Sequence, residues 1–139
     1  MGEYEHTATI NCRAQKVFEF AADVRNFPLY LPTVRNVIKQ GSEHVRVQGE
    51  ARGLQYASDG MYHVDYIRKR MEWGSDSDDQ YSGWLEVKGN DTTATVTVHV
   101  TFEPHRDYDP TIHEGLENAL ASIKNLCEGT GGKVEAYAA

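Results

Sequence analysis

Residues 23–32 read DVRNFPLYLP, and this stretch decides how the beginning of the chain folds. Pro28 disfavours helical backbone at Phe27, so a helix that comes before it should end there. Residues 26–31 can form one more helical turn with the proline early in it, and Pro32 closes that turn. A turn that served only as a connection would be polar, whereas this one is aromatic and aliphatic. Its apolar character is the first indication of function.

The residues before this stretch predict a strand followed by a short helix. Residues 4–10, YEHTATI, are rich in β-branched side chains, which favour a strand. In residues 14–24 the apolar side chains recur at i, i+3, i+4 and i+7, which is typical of one face of a helix. These side chains are Val17, Phe20, Ala21 and Val24. The chain is therefore predicted to begin with one strand and two short helical segments.

Residues 34–102 carry mostly strand signals. The predicted strands are 34–40, 45–51, 56–67, 68–75, 81–88 and 93–102. The last is the clearest, because apolar and polar residues alternate along it and so assign one buried and one solvated face. The same alternation predicts a set of inward side chains that contains Tyr62, Val64, Tyr66, Ile67, Met71, Trp73 and Tyr81. A β-bulge at Gly60 or Gly83 would reverse these assignments beyond it.

After Pro104 the apolar period changes to that of a helix. Asp109 and Pro110 supply an N-cap and a first-turn proline, and Gly129 is a suitable stop. The stripe between them predicts a helix of about 18 residues. The sequence thus predicts an α+β fold, in which seven antiparallel strands curve around one long C-terminal helix. We expect a single domain over residues 1–139, with a loosely held tail from about residue 130.

The composition excludes several classes of partner. The net charge of −7 argues against nucleic acid, because its binding needs a basic surface. No apolar run is long enough to span a membrane and the N-terminus lacks a signal-peptide pattern, so we expect a cytoplasmic protein without integral membrane association. Cys12 and Cys127 stand alone at opposite ends of the chain, which argues against a disulfide scaffold or a zinc site. The oligomeric state is left open, and a dimer is compatible with the sequence.

The order of elements, with the residues that punctuate it, resembles the START or helix-grip (SRPBCC) superfamily over nearly the whole chain. The segments Thr7 to Ile10, Val17 to Phe20 and 23–32 are similar to those of the polyketide cyclase/dehydrase and lipid transport family and its coenzyme Q-binding-like branch. Gly83-Trp84 resembles a Gly and Trp pair that members commonly carry one residue further apart. The resemblance implies a helix-grip fold, with an apolar cavity between the sheet and the long helix.

The resemblance also implies where a ligand would lie. The two short helices are expected at one end of the cavity, where the aromatic and aliphatic side chains of residues 27–31 would form a lid and lining at its mouth. The alternative interpretation is that they plug the end of the core. Aromatic rings with a polar tip suit such a site, because the ring supplies apolar area and the tip orients the ligand. The predicted ligand-contacting residues are Phe27, Leu29, Leu31, Tyr62, Tyr66, Trp73, Tyr81, Val98, Leu116 and Leu120.

These features favour binding, with or without transport, of a small hydrophobic ligand such as a lipid, a quinone or a polyketide-like aromatic. No cofactor is expected, and the six histidines lack the spacing of a metal site. An enzyme of the cyclase/dehydrase type, acting through an inward tyrosine, is one alternative. A protein-interaction module with Trp84 and Tyr30 in its contact patch is another. The catalytic residues of such an enzyme, and the directions of Trp84 and His63, are left open.

Overall fold

The computed structural model describes residues 2–31, 34–51, 54–75, 82–102 and 109–129. Its elements, in chain order, are β1 (Gly2–Ile10), α1 (Ala14–Ala22), α2 (Phe27–Tyr30), β2 (Val34–Lys39), β3 (His44–Ala51), β4 (Leu54–Asp65), β5 (Arg70–Ser75), β6 (Ser82–Gly89), β7 (Ala94–Phe102) and α3 (Asp109–Lys124). A 3₁₀ turn, Val24–Asn26, joins α1 to α2, and a π-helical turn, Asn125–Gly129, extends α3. The predicted order of elements is confirmed.

Within the described residues, the seven strands form one antiparallel sheet in the order β1-β7-β6-β5-β4-β3-β2. The α+β, helix-grip-like fold predicted from the sequence is therefore confirmed. Strands that follow one another from β2 to β7 pair with each other, whereas β1 pairs with β7 at the far edge. Because β1 and β2 lie at opposite edges, the segment that contains α1 and α2 must cross the width of the sheet. The two short helices thereby cover one end of the face that also carries α3.

Strand pairing is continuous past Gly60 and Gly83, the two glycines at which a bulge would have exchanged inward and outward side chains. Gly60 lies opposite Val45 and Ser75, and Gly83 lies opposite Trp73 and Val100. The register shift that the pairing shows lies instead in β2, between residues 34 and 36. The alternation along β4, β5 and β6 therefore holds. We call the face that carries the helices the inner face, and the opposite one the outer face.

The segment 23–31 folds back on α1 through two buried polar side chains. The Nδ2 of Asn26, which is fully buried, donates to the Phe20 carbonyl oxygen at 3.0 Å. The hydroxyl of Tyr30 donates to the Ala21 carbonyl oxygen at 2.6 Å. The last carbonyls of a helix have no partners within it, so these two bonds satisfy groups that would otherwise be buried unpaired. They explain how the apolar segment 23–31 can close the end of the fold.

The apolar core lies between α1, α3 and the inner face of β1, β6 and β7. Its largest fully buried side chains include Phe18 and Phe20 from α1, Ile123 from α3 and Ile10 from β1. The α3 helix packs against β1 and α2. The predicted cover of the sheet by the long helix is therefore centred on the β1 side. Fully burying one such side chain stabilises the fold by about 1.5–3 kcal/mol, so this cluster is the main source of stability.

The turn between β4 and β5 lies earlier than predicted. β4 ends at Asp65 and β5 begins at Arg70, with a turn between them in which Lys69 has a positive φ of 53°. The prediction that Ile67 faces inward is wrong, because alternation applies only while the strand continues. Its side chain is 91% exposed, whereas Tyr66 is 60% exposed and keeps its ring against Phe18 of α1.

Candidate functional site

A row of directly paired residues crosses the inner face from β4 to β1. Tyr62 on β4 lies opposite Trp73 on β5, which lies opposite Gly83 on β6. The row continues to Val100 on β7 and Tyr4 on β1. Directly opposite residues project from the same face of a sheet. The row, which we call the aromatic row, therefore places three aromatic side chains on the face toward the helices.

Gly83 gives the Trp73 indole the space that it occupies. A Cβ at position 83 would stand 2.6 Å from Cε2 and Cζ2 of the indole and 2.8 Å from its Nε1. Such distances are far below ordinary van der Waals contact, so a side chain there would displace the ring. Trp73 therefore leans across β6, toward the middle of the inner face. The glycine serves close packing here and not a bulge.

The inner face is packed unevenly. On β6 and β7 the inward side chains Leu85, Val87, Val96 and Val98 are all buried. On β2, β4 and β5 several inward apolar side chains pack against the core but are only half-buried, and the same holds for the residue that follows α2. These five residues, which we call the apolar strip, are Leu31, Val34, Val37, Val64 and Trp73. Apolar surface that a protein leaves partly in water beside its core is where a hydrophobic ligand gains most by binding.

Tyr62 stands at one end of this half-buried region. Its side chain is buried but does not belong to the core cluster that contains Tyr4 at the other end of the aromatic row. Position 62 therefore has a ring that shields apolar surface and a hydroxyl that can orient a polar group of a ligand. This is the arrangement that the alternating pattern of β4 predicts.

The two sides of α2 differ in burial. Phe27 is buried and meets Tyr30 edge to face, with 5.9 Å between the ring centroids. Leu29 is 40% exposed, and Leu31 is half-buried against the core. Burial also raises the pKa of the Tyr30 phenol. Phe27 thus plugs the end of the core, while a lid formed by the two leucines stays a prediction.

The other predicted ligand-contacting residues divide into three groups. Val98, Leu116 and Leu120 are buried within the core cluster. Tyr66 lies in the β4–β5 turn, where its ring meets the Phe18 ring edge to face at a centroid distance of 5.7 Å. Tyr81 lies outside the described residues. Two of the ten predicted residues are half-buried against the core and so partly accessible to solvent. They are Trp73 on the inner face and Leu31 in the predicted lid.

A histidine pair joins β1 to α3, and the sequence did not predict it. The Nε2 of His6 and the Nδ1 of His113 are 2.8 Å apart, and the Tyr4 ring meets His113 edge to face. Glu117 approaches the other nitrogen of His6 at 4.0 Å. A hydrogen bond between two imidazoles needs one N–H and one bare nitrogen, so the pair can exchange a proton at this point. The partners are 107 positions apart in the chain, which no local pattern reveals.

Two grooves are lined mainly by outer-face residues. One has a volume of about 520 Å³ and is lined by Arg35, Asn36, Gln48, Gly49, Gln55 and Ala57. The other has a volume of about 430 Å³ and is lined by Glu3, Glu72, Trp73, Ser82, Gly83, Trp84, His99 and Thr101. Neither groove lies between the sheet and α3. The apolar cavity expected there stays a prediction.

The Trp84 side chain lies on the outer face of the sheet. Its ring stacks on His99 with 5.3 Å between centroids and 4° between planes, and the Arg70 guanidinium lies 4.4 Å from its centroid. Tyr30 is only 3% exposed, so the interaction patch proposed to contain both Trp84 and Tyr30 is wrong. His63 also lies on the outer face, and its hydrogen bond to the Glu43 carboxylate raises its pKa.

Among the described residues, no group of three or more His, Cys, Asp or Glu side chains is placed to hold a metal ion. The described helices are also too short or too polar for any of them to cross a membrane.

Comparison with known proteins gives a family and a fold. The family described as polyketide cyclase / dehydrase and lipid transport matches residues 1–128. No curated protein matches the chain. A solved structure from Thermus thermophilus is 17% identical, with a TM-score of 0.76, and the match covers 99% of this chain and 100% of that one.

Two further solved structures extend the comparison. A START superfamily protein from Mycobacterium smegmatis is 12% identical over 96% of this chain and 97% of that chain, with a TM-score of 0.69. The di-domain ARO/CYC BexL from the BE-7585A biosynthetic pathway is 22% identical over 90% of this chain, with a TM-score of 0.73. The present chain spans 46% of that protein, which is about half of it. At these identities the likeness shows the fold alone.

Proposed function

The chain belongs to the polyketide cyclase / dehydrase and lipid transport family, and we propose that it binds one small hydrophobic molecule against the inner face of the sheet. Membership of the family implies a hydrophobic ligand. The finer proposal is that this ligand is a lipid, a quinone or a polyketide-like aromatic. It would rest on Val34, Val37, Val64 and Trp73 of the apolar strip, with Leu29 and Leu31 as a lid over it. A quinone ligand would correspond to the coenzyme Q-binding-like branch.

The observation that carries this proposal is the half-burial of the apolar strip. Its members pack against the core, yet each keeps access to solvent. A ligand that covers them gains about 25 cal/mol for each Å² of apolar surface removed from water. The Trp73 ring contributes the largest flat surface of the strip, and Tyr62 beside it contributes a hydroxyl. This combination suits a molecule with a flat or extended apolar body and a small polar group.

The two tryptophans of the chain provide a matched pair for the test, because Trp73 lies on the inner face and Trp84 on the outer face. In the Trp84→Phe variant, fluorescence comes from Trp73 alone. In the Trp73→Phe variant, it comes from Trp84 alone. Titration of both variants with a fatty acid, a ubiquinone analogue and a tricyclic aromatic should quench or shift the emission of the first variant only.

Native mass spectrometry of the same mixtures should show one ligand bound per chain. Equal spectral responses of the two variants would place the ligand elsewhere. A complete panel without any bound species would remove the proposed function.

A second candidate is an enzyme of the cyclase/dehydrase type. It is favoured by two inward tyrosines on one row, Tyr4 and Tyr62, with the His6–His113 pair beside the first of them. A phenol and an imidazole pair can donate and accept protons on an enolisable ligand. If turnover of an aromatic polyketide substrate is found, Tyr62→Phe or Tyr4→Phe should lower kcat. An unchanged kcat in both variants would remove the inward-tyrosine mechanism.

A further inference from the structure

The two cysteines meet in the folded chain, although the sequence placed them alone at its opposite ends. Cys12 lies in the turn after β1, and Cys127 lies in the π-helical turn that extends α3. Both are free thiols. The segments that carry them are joined by hydrogen bonds from Asn11 to Glu128 and from Lys124 to Thr9, and Cys12 contributes to the raised pKa of the Cys127 thiol. The two segments come together because α3 packs against β1, and no spacing rule could show this.

Hydrogen bonds join the backbone near Cys12 to side chains near Cys127. The Lys124 ammonium donates to the Thr9 carbonyl oxygen at 2.9 Å. The backbone N–H of Asn11 donates to the Glu128 carboxylate at 2.6 Å. Lys124 and Glu128 also pair with each other at 2.7 Å. The two segments thus stay in contact whether or not the sulfurs are bonded.

The two thiols differ in access to solvent. Cys12 is half-buried, whereas Cys127 is 5% exposed. Burial, with a smaller contribution from the neighbouring Cys12, raises the pKa of the Cys127 thiol to about 12, so that it stays protonated at neutral pH. The nearby Lys16 charge acts in the opposite direction on the same thiol. An oxidant from solution therefore meets Cys12 first, with Cys127 as the resolving partner behind it.

We propose that Cys12 and Cys127 form a reversible disulfide when a hydroperoxide oxidises the protein, and that this bond fastens the end of α3 to the turn after β1. In the first step the Cys12 sulfur attacks the O–O bond, which breaks to give a sulfenic acid on Cys12 and an alcohol, or water from hydrogen peroxide. In the second step the Cys127 sulfur attacks the Cys12 sulfur. The S–S bond forms, the S–O bond breaks, and the Cys127 proton leaves with the hydroxide as water. Two thiols are oxidised by two electrons, and one hydroperoxide is reduced.

The bond would close a loop over most of the chain. Cross-links that close long loops restrict the unfolded state most, so the oxidised protein should be the more stable form. It would also prevent the end of α3 from lifting off β1. Reduction by a dithiol would restore the open form.

The test uses the full chain, treated with hydrogen peroxide and then unfolded in the presence of an alkylating reagent. The oxidised protein should take up no alkyl group and weigh about 2 Da less than the reduced protein, since two hydrogens are lost. Peptide mapping should find the Cys12–Cys127 cross-link, and dithiothreitol should reverse both changes. The melting temperature should rise by roughly 5 °C or more on oxidation.

The Cys12→Ser and Cys12→Ala variants serve as controls, because Cys12 is only half-buried and its replacement should preserve the fold. Neither should lose mass nor gain stability with peroxide. The proposal is overturned if the wild-type protein keeps both thiols, gains oxygen on Cys12 while Cys127 is still alkylated, or forms only disulfide-linked dimers. These outcomes are independent of ligand binding.

Discussion

Gly83→Ala should destabilise the protein through a single contact, that between position 83 and the Trp73 indole. The new Cβ would lie 2.6 Å from two ring carbons, whereas ordinary contact begins at 3.4 Å. The rigid ring must therefore move by roughly 0.8 Å, and it can move only by giving up packing on the core. Overpacking of this kind costs about 1–3 kcal/mol. Alanine in a strand recovers about 0.5–1 kcal/mol relative to glycine, because the unfolded state loses freedom.

The expected net loss in the free energy of unfolding is therefore about 0–2.5 kcal/mol. Chemical unfolding followed by far-UV circular dichroism measures it without depending on the tryptophan signal. The control is the same substitution in a Trp73→Phe background, where the smaller ring leaves room for the methyl group. There the loss should shrink or reverse sign. An equal loss in both backgrounds would show that the ring and the glycine are not coupled, and that Gly83 does not provide the space for the Trp73 ring.

Two further predictions concern the lid segment and the outer face. Tyr30→Phe removes the hydroxyl that satisfies the buried Ala21 carbonyl, so the free energy of unfolding should fall by about 1–3 kcal/mol, and an unchanged value in urea titration would contradict the bond. The hydrogen bond that His63 donates to the Glu43 carboxylate raises the pKa of His63, so the pair stabilises the fold below the ordinary histidine pKa of about 6.5 and stops doing so as pH rises through the higher folded value. In Glu43→Gln, the His63 midpoint measured by NMR should fall, and an unmoved midpoint would contradict this assignment.

The sequence predicted those features that depend on local pattern. Alternation correctly assigned Tyr62 and Trp73 to the inner face, because pairing stays continuous through Gly60 and Gly83. It failed at Ile67, because a pattern of alternation does not show where a strand ends and a turn begins.

Contacts between distant parts of the chain were beyond local pattern. The His6–His113 pair and the meeting of Cys12 with Cys127 both depend on α3 packing against β1. No spacing rule covers partners that are brought together only by the packing of the helix on the sheet. The same holds for the difference between buried and half-buried inward positions, which depends on where α3 packs and not on the residues of the strands.

Buried inward residues should contribute mainly to stability, and half-buried inward residues mainly to ligand binding. Val98 and Val64 test this, because the same valine-to-alanine substitution can be made at a buried and at a half-buried position. Both project from one row of the inner face, which runs from Val64 through Met71 and Leu85 to Val98. Val98 is buried in the core, whereas Val64 is half-buried in the apolar strip. Val98→Ala should therefore lower the free energy of unfolding by about 1–3 kcal/mol and leave ligand affinity nearly unchanged. Val64→Ala should cost less than about 1 kcal/mol and weaken binding of whichever ligand the panel identifies. The opposite pattern would mean that the ligand lies within the β6–β7 half of the face, and the lid and strip would then have no part in holding it.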